Sequence, residues 1–155
     1  MITDALTTLS GSIVGNTVSG QSVTGTNTTV LSTNTYDLGV ARDIGKGEAL
    51  EVLCEILAAP TGGTSVQFQL VQADDAALTT NLQVIVQTDA IPIASLPIGT
   101  QVPLHVDRVD PYPARRYLGV RYALVGAIAS TSVFATIAKS VADKQASYPS
   151  GFAIL

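Results

Sequence analysis

Charge is what this chain has least of. Of its 155 residues only 13 % are Asp, Glu, Lys or Arg, against about 25 % in ordinary soluble domains. No charged residue lies between Asp4 and Asp37, there is no Trp, and the chain holds one Cys and one His. Each scarcity removes a class of function. Lys and Arg number 8 against 12 Asp and Glu, a net charge of −4. That is the wrong sign for nucleic acid, which is held by clustered cations that displace phosphate counterions. One Cys and one His are too few for a Cys/His zinc centre or a cupin-type cluster of His and Glu. Cys54 has no second cysteine to bridge, so packing must hold the fold. The opening Met1-Ile2-Thr3-Asp4-Ala5-Leu6 lacks the basic start and apolar stretch of a secretory signal. The longest uncharged apolar run, Tyr122 to Ala138, is broken by Gly126, Ser130, Thr131, Ser132 and Thr136. It falls short of the ~20 apolar residues of a spanning helix. Neither nucleic acid nor a membrane is an expected partner.

What is there divides into three stretches. Residues 1–35 form an uncharged, Ser/Thr/Gly-rich N-terminal arm or an added hairpin. They hold an approximate repeat of period five: Gly15-Asn16-Thr17-Val18-Ser19, Gly20-Gln21-Ser22-Val23-Thr24 and Gly25-Thr26-Asn27-Thr28-Thr29. Thr and Val favour extended backbone, and a glycine in every unit opposes helix. From residue 36 to 140 the hydrophobic period is two, which predicts half-buried strands. Tyr36, Leu38 and Val40 alternate with polar or small residues, as do Leu50, Val52, Cys54 and Ile56. The pattern continues through Val66, Phe68 and Leu70, then Leu82, Val84 and Val86, then Val102, Leu104 and Val106. Leu118, Val120, Tyr122 and Leu124, and finally Val133, Ala135 and Ile137, close the series. Turns are expected at Gly45-Lys46-Gly47, Pro60 to Gly63 and Asp110 to Pro113, and a single helical turn at Ala76 to Leu78. Seven or eight such strands predict an all-β fold, a jelly-roll-like antiparallel β-sandwich. Residues 141–155 are a C-terminal tail that is apolar at its end and carries Pro149 and Gly151. It either tucks into its own core or docks on another subunit.

No constellation of catalytic groups emerges. Strand parity turns Cys54 inward and His105 outward, so the two do not form a nucleophile–base pair. Asp74-Asp75 lacks the further acidic ligands of a calcium loop, and Gly45-Lys46-Gly47 lacks the spacing of a phosphate loop. Asn27-Thr28-Thr29 fits the glycosylation sequon, without a secretory signal to give it meaning. Tyr112, Tyr117 and Tyr122 offer faces for sugar stacking, weakened by the lack of Trp. The expectation is no enzymatic activity, no cofactor and no metal. The candidate residues are instead for interaction. Val18, Val23 and Val30 supply apolar contacts from the N-terminal stretch. Arg115 and Arg116 either form surface ion pairs with Asp107 and Asp110 or make a patch for a charged partner. Tyr148, Phe152, Ile154 and Leu155 lie in the tail.

Four blocks carry a family resemblance. The run from Tyr36 through Asp43-Ile44-Gly45-Lys46-Gly47-Glu48 to Leu50 resembles the hallmark segment of the tailed-bacteriophage capsid cement proteins typified by the Bordetella phage cement protein. Gln69 to Leu78 resembles the next block, Ile91-Pro92-Ile93-Ala94 with Leu96-Pro97-Ile98-Gly99 a third, and Arg116 to Tyr122 the late strand, in family order. The stretch from Gly11 to Thr35 is longer than the family's, and the tail after Ile137 has no counterpart in its pattern. The resemblance implies a structural virion protein that cements or decorates the outside of an icosahedral head and bridges major capsid protein subunits. It also implies manufacture in the host bacterial cytoplasm and self-association as a dimer or trimer. The competing expectation is a phage tail or fibre module that recognises a host surface glycan.

Overall fold

The computed structural model describes residues 5–15, 17–41, 50–106 and 113–138. Seven short strands come first: β1 (Thr8–Ser10), β2 (Ser12–Val14), β3 (Thr17–Ser19), β4 (Gln21–Ser22), β5 (Gly25–Thr26), β6 (Thr29–Leu31) and β7 (Tyr36–Asp37). They are followed by β8 (Leu50–Thr61), β9 (Ser65–Ala73), β10 (Gln83–Gln87), β11 (Ile91–Pro92), β12 (Gln101–Val106), β13 (Tyr117–Val125), β14 (Ala127–Ile128) and β15 (Ser130–Ala138). The first sheet runs β1-β15-β8-β12, with β4 beside β1 on the same edge of β15. The second runs β10-β9-β13-β6, with β11 on β9 and β7 on β13. All pairings are antiparallel, and successive long strands change sheet except at the β9–β10 connection. The protein is an all-β sandwich.

The core is built on a match of small against large side chains. Across the first sheet, strand register lines up Ser10, Ala135, Cys54 and Val102 in one row. All four are buried, and three of them are small. From the second sheet come the cross-strand partners Phe68 and Tyr122, their rings 5.7 Å apart and edge to face at 88°. Such a pair contributes about 0.5–1.5 kcal/mol beyond its buried area. The Tyr122 hydroxyl crosses to the first sheet and hydrogen-bonds Ser10 Oγ at 2.6 Å, both groups being buried. Burial pushes the phenol pKa well up, with the neighbouring Cys54 adding to the shift and the Ser10 hydrogen bond opposing it.

The first thirty-odd residues are threaded through both sheets. The three five-residue units make β3, β4 and β5, β6 follows them, and each of the four strands finds a different partner. β3 pairs with β2, β4 with β15, β5 with β14 and β6 with β13. Leu9 and Val23 enter the main core at 1 % and 0 % exposure. Side-chain amides complete the stitching. Gln21 donates to the Leu31 carbonyl and accepts from the Thr33 amide, while Asn27 Oδ1 accepts from the Gly126 amide. The alternatives of a free arm and an added hairpin therefore describe only β2–β3, which is a two-stranded ribbon of its own.

Three other expectations change in detail. The strand expected over Tyr36–Val40 stops at Asp37, because Gly39 turns to φ +78° and its amide is captured by Asp37 Oδ1 at 2.7 Å. Alternation over Leu82–Val86 is broken by a bulge between Val84 and Val86, which sends Val86 to the main core and Val84 to a cluster on the opposite face. Ala76–Leu78 form a turn in which Leu78 adopts φ +55°, so no helix forms there. Pro60 and Thr61 remain in β8, and the chain reverses after them. The Gly45-Lys46-Gly47 turn and residues 139–155 lie outside the described residues.

Tyr122→Phe should destabilise the fold by about 1–3 kcal/mol, since it leaves the buried Ser10 hydroxyl without its partner. A double-mutant cycle with Ser10→Ala, read by denaturant unfolding, should recover part of that loss as coupling. Simple additivity would show that the two hydroxyls act independently.

Candidate interaction surfaces

The described residues hold no group of three His, Cys, Asp or Glu side chains placed to share a metal ion. Cys54 is fully enclosed, and burial pushes its thiol pKa up to about 12. His105 stands on the outer face of β12, its Nδ1 3.5 Å from Glu51 Oε1. The two face opposite sides of one sheet, as parity predicts. Tyr122 is wholly buried, so it presents no ring to a sugar. Tyr112 lies outside the described residues.

Arg115 and Arg116 are engaged within the chain. Arg115 Nη1 bridges both oxygens of Asp74 at 2.8 and 2.9 Å, and Arg116 makes a fork to Asp37 through Nε at 2.7 Å and Nη2 at 2.8 Å. Arg116 also lies 5.0 Å from the centre of the Tyr117 ring. Their partners here are carboxylates far away in sequence, brought near by the pairing of β13 with β7 and β9. Asp107 and Asp110 lie outside the described residues. The Arg116 hydrogen bonds, helped by the Gly39 amide, lower the Asp37 pKa from 3.8 to about 2. In the β9–β10 loop Asp75 accepts from the amides of Thr80 and Thr79 and from the Thr79 hydroxyl, at 2.6, 2.9 and 2.8 Å, which also lowers its pKa to about 2. Asp74 is lowered as well, first by Asn81 and then by Arg115. These carboxylates are turn-building groups. The loop lays Leu78 over Val71 and Ala73, and it fits because residue 119 is glycine: a Cβ there would run into the Leu78 side chain.

The apolar candidates fall in different places. Val18 is 44 % exposed on the β2–β3 ribbon, where register pairs it with Ile13, and Val14, paired with Thr17, is 74 % exposed on the ribbon's other face. Val23 is at 0 % and supplies core, so it is not a contact residue for another chain. Val30 is half-buried against the core opposite Tyr122. Tyr148, Phe152, Ile154 and Leu155 lie outside the described residues. The structure adds one feature that reading the sequence missed, an amide network on the outer face of the second sheet. Arg121 Nε donates to Gln69 Oε1 at 2.6 Å, and Gln69 Nε2 donates to the side-chain oxygens of Gln67 and Gln87 at 3.1 and 2.9 Å. The signal was present as the alternation of Gln67 and Gln69 with apolar residues, but their partner Gln87 is reached only through register.

A protein-family model described as Bbp16 matches residues 17–137, well over half the chain. No curated protein matches it.

The depressed carboxylates fix the sign of an acid effect. The unfolded chain binds protons at the ordinary carboxylate pKa, whereas folded Asp37 and Asp75 hold out to about 2. Their contribution is therefore present above the ordinary value and lost as pH falls towards 2. Denaturant midpoints for the wild type and for Asp37→Asn/Asp75→Asn should differ most at about pH 6 and converge by about pH 2. A gap that stays constant with pH would contradict the assignment.

Proposed function

The chain belongs to the Bbp16 family of phage proteins, and on that premise we propose that it is a structural capsid cement protein. It binds the outside of the assembled icosahedral head, bridges major capsid protein subunits and catalyses nothing. The observation that carries this reading is the family match itself, which runs from β3 to β15 and so takes in most of both sheets. Three physical features support it. A sandwich with one continuous core and laced ends transmits load without bending, because close-packed interiors are stiff. A protein that binds the assembled lattice better than free subunits stabilises assembly by linkage. Contact with two subunits at once makes the second contact effectively intramolecular.

Bridging requires two contact patches, and the β2–β3 ribbon supplies one. It carries exposed valines on both faces of a stretch without charge, Val18 on one and Val14 on the other, and a two-stranded ribbon is stabilised by a neighbour. The segment from residue 8 to 37 as a whole is not a detachable arm, since Leu9, Ser10 and Val23 belong to the core. Contact is therefore tested by substitution and not by truncation.

The experiment is reconstitution on shells that lack the protein, with bound copies and the rupture temperature of the shell as readouts. The expected result is saturable binding at many symmetry-related positions with a raised rupture temperature, and Val14→Asp/Val18→Asp should lower occupancy while leaving the protein's own unfolding unchanged. No binding, or a few copies confined to one vertex, would overturn the cement reading.

A further inference from the structure

We propose that the outer face of the second sheet is a docking surface for a protein carboxylate, with Arg121 as its anchor. The proposal deepens the cement reading and rests on it: the carboxylate belongs to the capsid lattice and this face is the second contact patch.

Three arginines lie among the described residues. Arg115 is spent on Asp74 and Arg116 on Asp37. Arg121 has no carboxylate. It stands half-buried on the outer face of β13, between its cross-strand neighbours Gln69 on β9 and Leu31 on β6. Its Nε is held at 2.6 Å by Gln69, itself only 6 % exposed and fixed in turn by Gln67 and Gln87. Gln67 is tied off on the Thr88 carbonyl. The four N–H groups on the terminal nitrogens of Arg121 find no acceptor among the described residues.

Three consequences follow from that geometry. A guanidinium pinned through Nε has its plane set before any partner arrives, so less freedom is lost on binding. Its free fork matches a carboxylate through two parallel hydrogen bonds. The surrounding groups are neutral amides, which do not compete with a partner's carboxylate for the charge. The neighbouring half of this face is already covered by the β9–β10 loop with Leu78, so the open half is bounded. Among the described residues Arg121 is the one arginine without a carboxylate, and in a chain of net charge −4 that does not suit phosphate backbones, which need clustered cations. A single acidic side chain on a neighbouring protein is the complementary group.

The test compares wild type, Arg121→Gln, Arg121→Lys and Arg116→Gln for binding to shells lacking the protein, over a range of salt. Thermal unfolding of each free protein serves as the fold control. Arg121→Gln should weaken binding about tenfold or more and flatten its salt dependence, because a charged pair at an interface is lost. Arg121→Lys should recover part of the affinity through charge alone, and Arg116→Gln should leave binding near wild type. If the wild type binds and Arg121→Gln, still folded, binds with the same affinity and salt slope, the inference is overturned. If the wild type does not bind, the cement reading falls, and this inference with it.

Discussion

A hydrogen bond between the hydroxyls of Tyr122 and Ser10, 2.6 Å long and closed to water, ties the two sheets together. Tyr122 belongs to the second sheet and Ser10 to the first, so the bond sets both the spacing of the sheets and the place of the N-terminal strand. A phenol hydroxyl buried without a partner would cancel part of what its ring gains, and Ser10 removes that cost. The ring needs room as well as a partner. Ala135 and Cys54 beside Ser10 keep that row of the first sheet small. Cys54 is thus explained by volume and not by reactivity, and its raised pKa is a consequence of the same burial.

Because one end of this bond lies at residue 10, the residues that follow must return to the sandwich, and they do so without charge. A chain that laces along two sheets presents many backbone groups to a dry interior, and each needs an acceptor or donor. Short amides and hydroxyls serve that need at little desolvation cost. Gln21 closes on Leu31 and Thr33, Asn34 Nδ2 reaches the Gly11 carbonyl, and Ser32 Oγ accepts from the Val120 amide. Gln72, at 1 % exposure, does the same at the far end by donating to Gln83 and Pro113 and accepting from Arg115. Low charge and high Ser, Thr, Gln and Asn content are two sides of one solution. Among the described residues the ion pairs sit outside the core, on strand faces and on the turns beside them.

The long strands were legible because their information is local. Val66, Phe68 and Leu70 alternate with glutamines, and alternation alone assigns their faces. The N-terminal strands are two or three residues long, too short for a period to register, and the choice between arm and sandwich depended on partners over a hundred residues away. The bulge at Val84–Val86 and the left-handed Leu78 are likewise decisions of tertiary packing. The charges were the least legible. Arg115 and Arg116 stand five and six residues after Asp110 in sequence, yet the fold gives them Asp74 and Asp37. Nothing in a linear reading separates an arginine that will be neutralised from one, such as Arg121, that will not.

That distinction bears on how a protein of this composition recognises anything. With charge rare, long-range steering is weak, and specificity has to come from fixed short-range groups. A fixed group is only as precise as the frame behind it. Arg121 sits on β13, the strand that also carries Tyr122 and pairs along its whole length with β9. Its orientation therefore inherits the rigidity of the cross-sheet bond one residue away. The interior and the outer face are in this way two readings of one strand: the residue that locks the sandwich points in, and the next one back points out with its direction already set.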